Sequence, residues 1–189
     1  MPEEPTIATE LIYSGRILNL RIDTVSLPGG GTTRREIVEH DAAVTLVALD
    51  ADRNVLLVRQ FRKPVESDLL EAPAGSVDPG EDPEAAARRE LQEETGFLPG
   101  KLEKLATFYT APGFSTELMF LYLATDLTPA RLPADEDESI VLVRVPVGEI
   151  PELISSGGVA DAKTLVGLLM LLGWLGVPAP RDTASAGLA

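Results

Sequence analysis

Residues 88–97 read RRELQEETGF, so three glutamates, Glu90, Glu93 and Glu94, crowd into one short stretch. On a helix they occupy positions i, i+3 and i+4 and share one face. Like charges at that spacing repel, at roughly a few tenths of a kcal/mol per pair. The flanking residues nevertheless insist on a helix. Asp82 suits the N-cap, Pro83 suits the first helical position, EAAARREL favours helix, and Gly96 is placed to end it. The pattern predicts a helix over 83–95, with Ala87 and Leu91 on a face turned to the core. Upstream, EAPAGSVDPG (71–80) reads as a turn-rich loop that delivers backbone carbonyls to the helix start. Taken alone, REXXEE reads as a solvated acidic face. A divalent cation changes that reading by turning repulsion into coordination. Hard Mg²⁺ prefers carboxylate and carbonyl oxygens and leaves positions open for water and phosphate.

The rest of the chain limits what such a helix can serve. Its 189 residues suit one domain with a small extra subdomain. A net charge of −14 with no basic block argues against nucleic acid, and would repel anionic small molecules unless a cation stood between. There is no cysteine, which permits a cytoplasmic setting, and His40 is the only histidine, so a His/Cys zinc site is excluded. His40 is given no role. MPEEPTIATE lacks the basic start and apolar run of a signal peptide. The apolar run 164–177 is shorter than the roughly 20 residues of a membrane span and reads as a buried core helix, so no membrane partner is expected.

Short strands are expected over 11–40, with a turn at LPGGG (27–31), then over 42–50, 54–61, 104–113, 118–127 and 139–147. Further helices are expected over about 147–155 and 161–175. Strands and helices interleave without a βαβ rhythm, which points to an α/β or α+β sandwich rather than a doubly wound sheet. The expected organisation is a β subdomain over 1–40, a main domain over 41–178 and a mobile tail over 179–189.

Gly75, Glu81, Arg89, Glu90, Leu91, Glu93, Glu94, Gly96 and Phe97 together fill the pattern G-x5-E-x7-R-E-U-x-E-E-x-G-U, where U is a bulky apolar residue. The segment resembles the Nudix box at every defined position. That resemblance implies a Nudix-type αβα sandwich with a mixed sheet and a small N-terminal antiparallel subdomain. It further implies Mg²⁺, replaceable by Mn²⁺ or another divalent cation, held by Glu90, Glu94 and the carbonyl of Ala74. Glu93 lies close by in the catalytic set, Arg89 orients the carboxylates, and Glu81 supports them.

Three further segments resemble the ADP-ribose pyrophosphatase subfamily. YTAPGFSTE (109–117) places Pro112 fifteen residues past Phe97. RQFRKPVESDLLEAPAG (59–75) matches the strand and loop before the box, with Arg62 and Glu71 as substrate contacts and Gln60 a weaker one. GGGTTRREIVEH (29–40) offers Arg35, with Arg34 as fallback. Arginine suits phosphate because its guanidinium makes charge-assisted, often bidentate bonds. Diphosphate hydrolysis also needs an activated water. By the resemblance a glutamate on a late loop serves as base: Glu138 first, Glu136 second, with Asp135 and Asp137 as solvated charges.

The implied activity is hydrolysis of the diphosphate of ADP-ribose, or of a related nucleoside diphosphate sugar, to AMP and ribose 5-phosphate. GDP-mannose as substrate is the alternative within the family. A non-catalytic nucleotide sensor is the alternative outside catalysis, and the intact box argues against it. The resemblance also implies a homodimer through residues 1–40 that brings Arg35 to the partner's site.

Overall fold

The computed structural model describes residues 3–130, 132 and 140–178. Among these residues two compact units emerge, one from 3–43 with 107–119 and the other from 44–106 with 120–130, 132 and 140–178.

In the first unit β1 (Thr6–Ser14), β2 (Leu18–Ser26) and β3 (Thr32–His40) form an antiparallel sheet with β2 in the centre. The β2–β3 turn is closed by Gly30 N–H donating to the Leu27 carbonyl at 2.9 Å and Leu27 N–H to the Gly31 carbonyl at 3.1 Å. Gly30 and Gly31 stand at φ 89° and 86°, which explains the glycine run, since a side chain there would be strained. Every residue of β1 is exposed, including Ile7, Leu11, Ile12 and Tyr13. The Pro112 segment is tied to β3. Val38 N–H donates to the Phe114 carbonyl at 2.8 Å, and Thr116 N–H donates to the Val38 carbonyl at 3.0 Å. These two bonds make a parallel bridge between Val38 and Ser115.

The larger sheet runs β10-β5-β4-β9-β8, where β4 is Ala43–Leu49, β5 Asn54–Arg62, β8 Phe97–Tyr109, β9 Leu118–Pro129 and β10 Val141–Pro146. Two short strands extend it: β6 (Ser67–Glu71) pairs with β5, and β7 (Ala74–Ser76) pairs with β4. The helices are α1 (Pro83–Thr95), α2 (Ile150–Ser155) and α3 (Ala162–Trp174).

Alternation along β4 sets the layers. Val44, Leu46 and Ala48 pack with Ala86, Ala87 and Leu91 of α1, together with Leu56, Tyr122 and Ala124. Val47, between them in sequence, points to the other face. There its side chain and that of Leu121 abut Gly167 of α3 so closely that a Cβ at Gly167 would collide with Val47. The sheet is therefore covered on both faces, as αβα layering requires, and β4 is continuously buried rather than alternating. Burying Leu91 alone contributes about 1.5–3 kcal/mol.

The helix limits agree with the sequence expectation, including α1 at 83–95. The 147–155 segment opens with a 3-10 turn at Val147–Glu149 before α2. Several expectations are corrected: the first strand begins at Thr6 rather than Leu11, Ser67–Glu71 pairs as the unforeseen β6, and the strand expected over 104–113 ends at Tyr109. The 71–80 stretch is not all loop, because Ala74–Ser76 pairs as β7. β8 begins at Phe97, directly after α1, seven residues before the expected strand, because Pro99 and Gly100 are accommodated in it. The 164–177 run is α3 and its end, with Thr164, Gly167, Leu168, Leu171 and Leu172 buried. No helix among the described residues is long and apolar enough to cross a membrane.

Candidate active site

The α1 helix is fixed at both ends. The Asp82 carboxylate accepts from Glu84 N–H at 3.0 Å and Ala85 N–H at 3.3 Å. Gly96 takes the left-handed conformation at φ 80° and its N–H returns to the Gln92 carbonyl. Ala86, Ala87 and Leu91 are buried, which directs Glu90, Glu93 and Glu94 to the side of the helix near β7.

Arg89 binds this acidic stripe together. Its Nη1 donates to Glu90 Oε1 at 2.6 Å and to Glu93 Oε2 at 3.2 Å. Its Nε and Nη2 grip Glu81 at 3.1 and 3.0 Å, and Nη2 also donates to the Ser76 carbonyl at 3.1 Å. The hydrogen bond to Glu81 chiefly raises the pKa of Arg89; burial opposes the shift and the charge of Glu90 adds to it. Glu81 is lowered in turn, first by Arg89, with burial opposing, and its carboxylate also accepts from Asp78 N–H at 3.0 Å. One guanidinium thus offsets part of the repulsion, at Glu90 and Glu93.

Glu94 is 8% exposed and its Oε2 accepts from Ala74 N–H at 3.0 Å. Glu90 folds over Gly75, and its carboxylate occupies the space that a Cβ at residue 75 would fill. The first box position is glycine because a carboxylate lies where any side chain would begin.

A second cluster sits where β5 and β6 pair. The register Val58↔Glu71, Gln60↔Leu69, Arg62↔Ser67 puts Gln60, Arg62 and Glu71 on one face. Arg62 clasps Glu71 in a fork, Nε to Oε1 at 2.7 Å and Nη2 to Oε2 at 2.8 Å. Glu71 is 1% exposed and also accepts from Lys163 Nζ. Burial pushes its pKa up, but the hydrogen bond from Arg62 and the charge of Lys163 outweigh it, and the net shift is downward. Arg62 is raised, first by the bond to Glu71; burial opposes, and the charges of Glu71, Glu94 and Asp161 add to the rise.

Arg35, in the first unit, forks onto Glu4 at 3.0 and 2.8 Å on an exposed surface, and Arg34 pairs with Glu10 at 3.2 Å. Pro112 is exposed on its anchored turn. Glu136 and Glu138, like residues 179–189, lie outside the described residues. Lys163, Asp161 and Thr164 carry no motif of their own. Only their packing against a segment about 90 residues earlier, such as the 92-residue separation of Lys163 from Glu71, reveals them.

Among the described residues no three His, Cys, Asp or Glu side chains already converge as a finished metal site. The donor chemistry does fit a hard divalent cation. Glu90, Glu93 and Glu94 offer only carboxylate oxygens, one carboxylate rests on a glycine cradle and another on a main-chain N–H.

The NUDIX domain family matches residues 39–165. The ADP-ribose pyrophosphatase of Bacillus subtilis (strain 168) is 43% identical over 164 residues, 86% of this chain and 89% of that protein. The methanol dehydrogenase activator of Bacillus methanolicus is 42% identical over 171 residues, 89% of this chain and 92% of that protein. A solved structure described as an ADP compounds hydrolase superposes with a TM-score of 0.85 at 27% identity, covering 93% of this chain and 96% of that one.

Proposed function

Because this chain belongs to the NUDIX domain family, we propose that it is a Nudix hydrolase acting as an ADP-ribose pyrophosphatase, which releases AMP and ribose 5-phosphate. The observation that carries the reading is the complete acidic platform: Glu90 over Gly75, Glu94 on Ala74 N–H, and Arg89 gripping Glu81, Glu90 and Glu93. Glu90, Glu94 and the Ala74 carbonyl would hold Mg²⁺, or Mn²⁺ in its place. When bound, the cation supplies charge neutralisation and Lewis acidity at the diphosphate.

The chain's own residues do the rest. Arg62 is held in place by Glu71 and stays 40% exposed, so it can donate to a phosphate oxygen without searching for its geometry. Gln60 shares that face and adds a neutral contact. Arg89 keeps the carboxylates oriented. Glu138 takes the proton of the attacking water, and the P–O–P linkage breaks as the new P–O bond forms. By its resemblance to the subfamily's proline segment, Pro112 serves as a substrate contact.

We further place the enzyme in the cytoplasm as a homodimer. The exposed Ile7, Leu11, Ile12 and Tyr13 on β1 support assembly, since burying these apolar side chains against a second copy would take them out of water. The interface would fall in the obligate class, above about 2,000 Å² in total. Arg35 then exchanges Glu4 for substrate in the partner's site. Sedimentation equilibrium tests assembly; an active monomer excludes it. Mixing Arg35→Ala with Glu94→Gln subunits tests the shared pocket. Action across the interface puts both defects in one site and restores activity in mixed dimers, whereas action within one subunit restores none. A panel of nucleoside diphosphate sugars with and without Mg²⁺ tests the substrate. Preference for ADP-ribose is expected, and preference for GDP-mannose would replace it.

A further inference from the structure

We propose that Thr164 is a positioning residue for the cation platform, fixing from α3 the strap Ala72–Pro73–Ala74 on which that platform rests. The inference depends on the Nudix hydrolase reading above. Thr164 is fully buried in the first turn of α3. Its hydroxyl oxygen accepts from Ala72 N–H at 2.7 Å, across 92 residues of sequence. Its single proton goes to Asp161 Oδ2. Asp161 is itself anchored, accepting from Thr164 N–H at 3.0 Å and pairing with Lys163 Nζ at 3.0 Å. The direction of the bond to Ala72 is therefore set.

The strap shows why this bond matters. Its three residues are held by three different elements. Ala72 N–H goes to Thr164 on α3. Pro73 has no N–H, and its carbonyl accepts from Leu46 N–H at 2.9 Å and Thr45 Oγ1 at 3.2 Å, both on β4. Ala74 N–H goes to Glu94 on α1 at 3.0 Å, and Gly75, the next residue, is the cradle under Glu90. Without the Thr164 bond the main chain loses its tie to α3 between Glu71, fixed in β6, and Pro73, fixed on β4, so Ala72 can shift. A shift there would reach Ala74 N–H through Pro73 and change how Glu94 is held relative to Glu90. Groups behind metal ligands commonly alter affinity by about 10–100-fold when removed.

The test compares Thr164→Val, which keeps shape and removes the hydroxyl, with Thr164→Ser, which keeps the hydroxyl. Mn²⁺ binding is measured without substrate, by the spin-resonance signal of free Mn²⁺ and by titration calorimetry. Thr164→Val is expected to bind Mn²⁺ at least about tenfold more weakly, and Thr164→Ser within about twofold of wild type. The Mn²⁺ concentration giving half-maximal turnover should rise by the same factor as the binding constant. A role confined to folding would lower the melting temperature and leave Mn²⁺ affinity of the folded protein unchanged; that result overturns the proposal. If Thr164→Val does not fold, Thr164→Ala removes the same hydroxyl with less bulk against Ala72 and carries the same two outcomes. Wild-type protein that binds no Mn²⁺ would instead overturn the hydrolase reading. Wild-type binding with unaltered variants overturns only the role of Thr164.

Discussion

Gly75→Ala separates the geometry of the platform from the stability of the fold. The added methyl would lie inside the Glu90 carboxylate. Ordinary contact then requires that carboxylate to retreat by about 1 Å or more, and a displacement on that scale can cost about 10²-fold in rate. The bond from Arg89 Nη1 to Glu90, now 2.6 Å, would be lost or bent in the same movement. A hundredfold loss corresponds to about 2.7 kcal/mol of transition-state stabilisation. Stability should behave differently. The colliding atoms are the end of a side chain, and Gly75 is not among the residues with positive φ. Alanine also restricts the unfolded chain, which offsets strain by about 0.4–1 kcal/mol. AMP release from ADP-ribose at saturating Mg²⁺ should therefore fall about 100-fold in kcat/KM, while the urea midpoint changes little. Gly148→Ala serves as control, because a methyl there meets nothing within 4 Å. Wild-type kcat/KM for Gly75→Ala would refute the idea that Glu90 must occupy this cradle, and so would a loss of activity explained wholly by unfolding.

Glu94→Gln keeps an acceptor for Ala74 N–H and removes the charge, so the fold should persist while turnover falls by more than about 100-fold, read by single-turnover kinetics. Glu71→Gln should destabilise the protein by about 1–3 kcal/mol at pH 7, since it removes the buried charged partner of half-exposed Arg62 and leaves Lys163 with Asp161 alone. The folded Glu71 carboxyl lies below its ordinary value of 4.5, so its contribution is complete above that pH and fades as pH falls through the folded value. The stability gap between wild type and Glu71→Gln, read by urea unfolding, should accordingly be constant from pH 7 to about 5 and narrow as pH falls below 4.5; a gap that widens with acid would contradict the ion-pair account. Glu138→Gln should lower kcat far more than KM, because a base acts in the transition state. If Glu136→Gln carries that effect instead, the base lies two residues earlier.

The limits of α1 were legible because its stop signals are local: an Asp-Pro start and a glycine end act within one turn. The acidic stripe was legible for the same reason, since three carboxylates on one helix face are a matter of spacing alone. β7 was not legible, because Ala74–Ser76 has no apolar alternation and becomes a strand only by pairing with β4. The early start of β8 was not legible because Pro99 and Gly100, residues depleted in strands, lie within it. Arg62 and Glu71 could be named from resemblance, but not their mutual clasp, which depends on the β5–β6 register. Lys163 and Thr164 look like ordinary residues opening an apolar helix. Their importance arises only when folding brings them to Glu71 and Ala72.

The grip of Arg89 on three glutamates has a consequence for how such an enzyme can be governed. A helix whose acidic face is partly offset by a cation from within the chain should not need an ion to fold. It differs in this from small metal domains that unravel when a chelator removes their ion. Chelation should silence this protein without exposing it to proteolysis, and returning the ion should restore it without refolding. The supply of divalent cation can then set the working rate from moment to moment while the number of intact molecules stays constant.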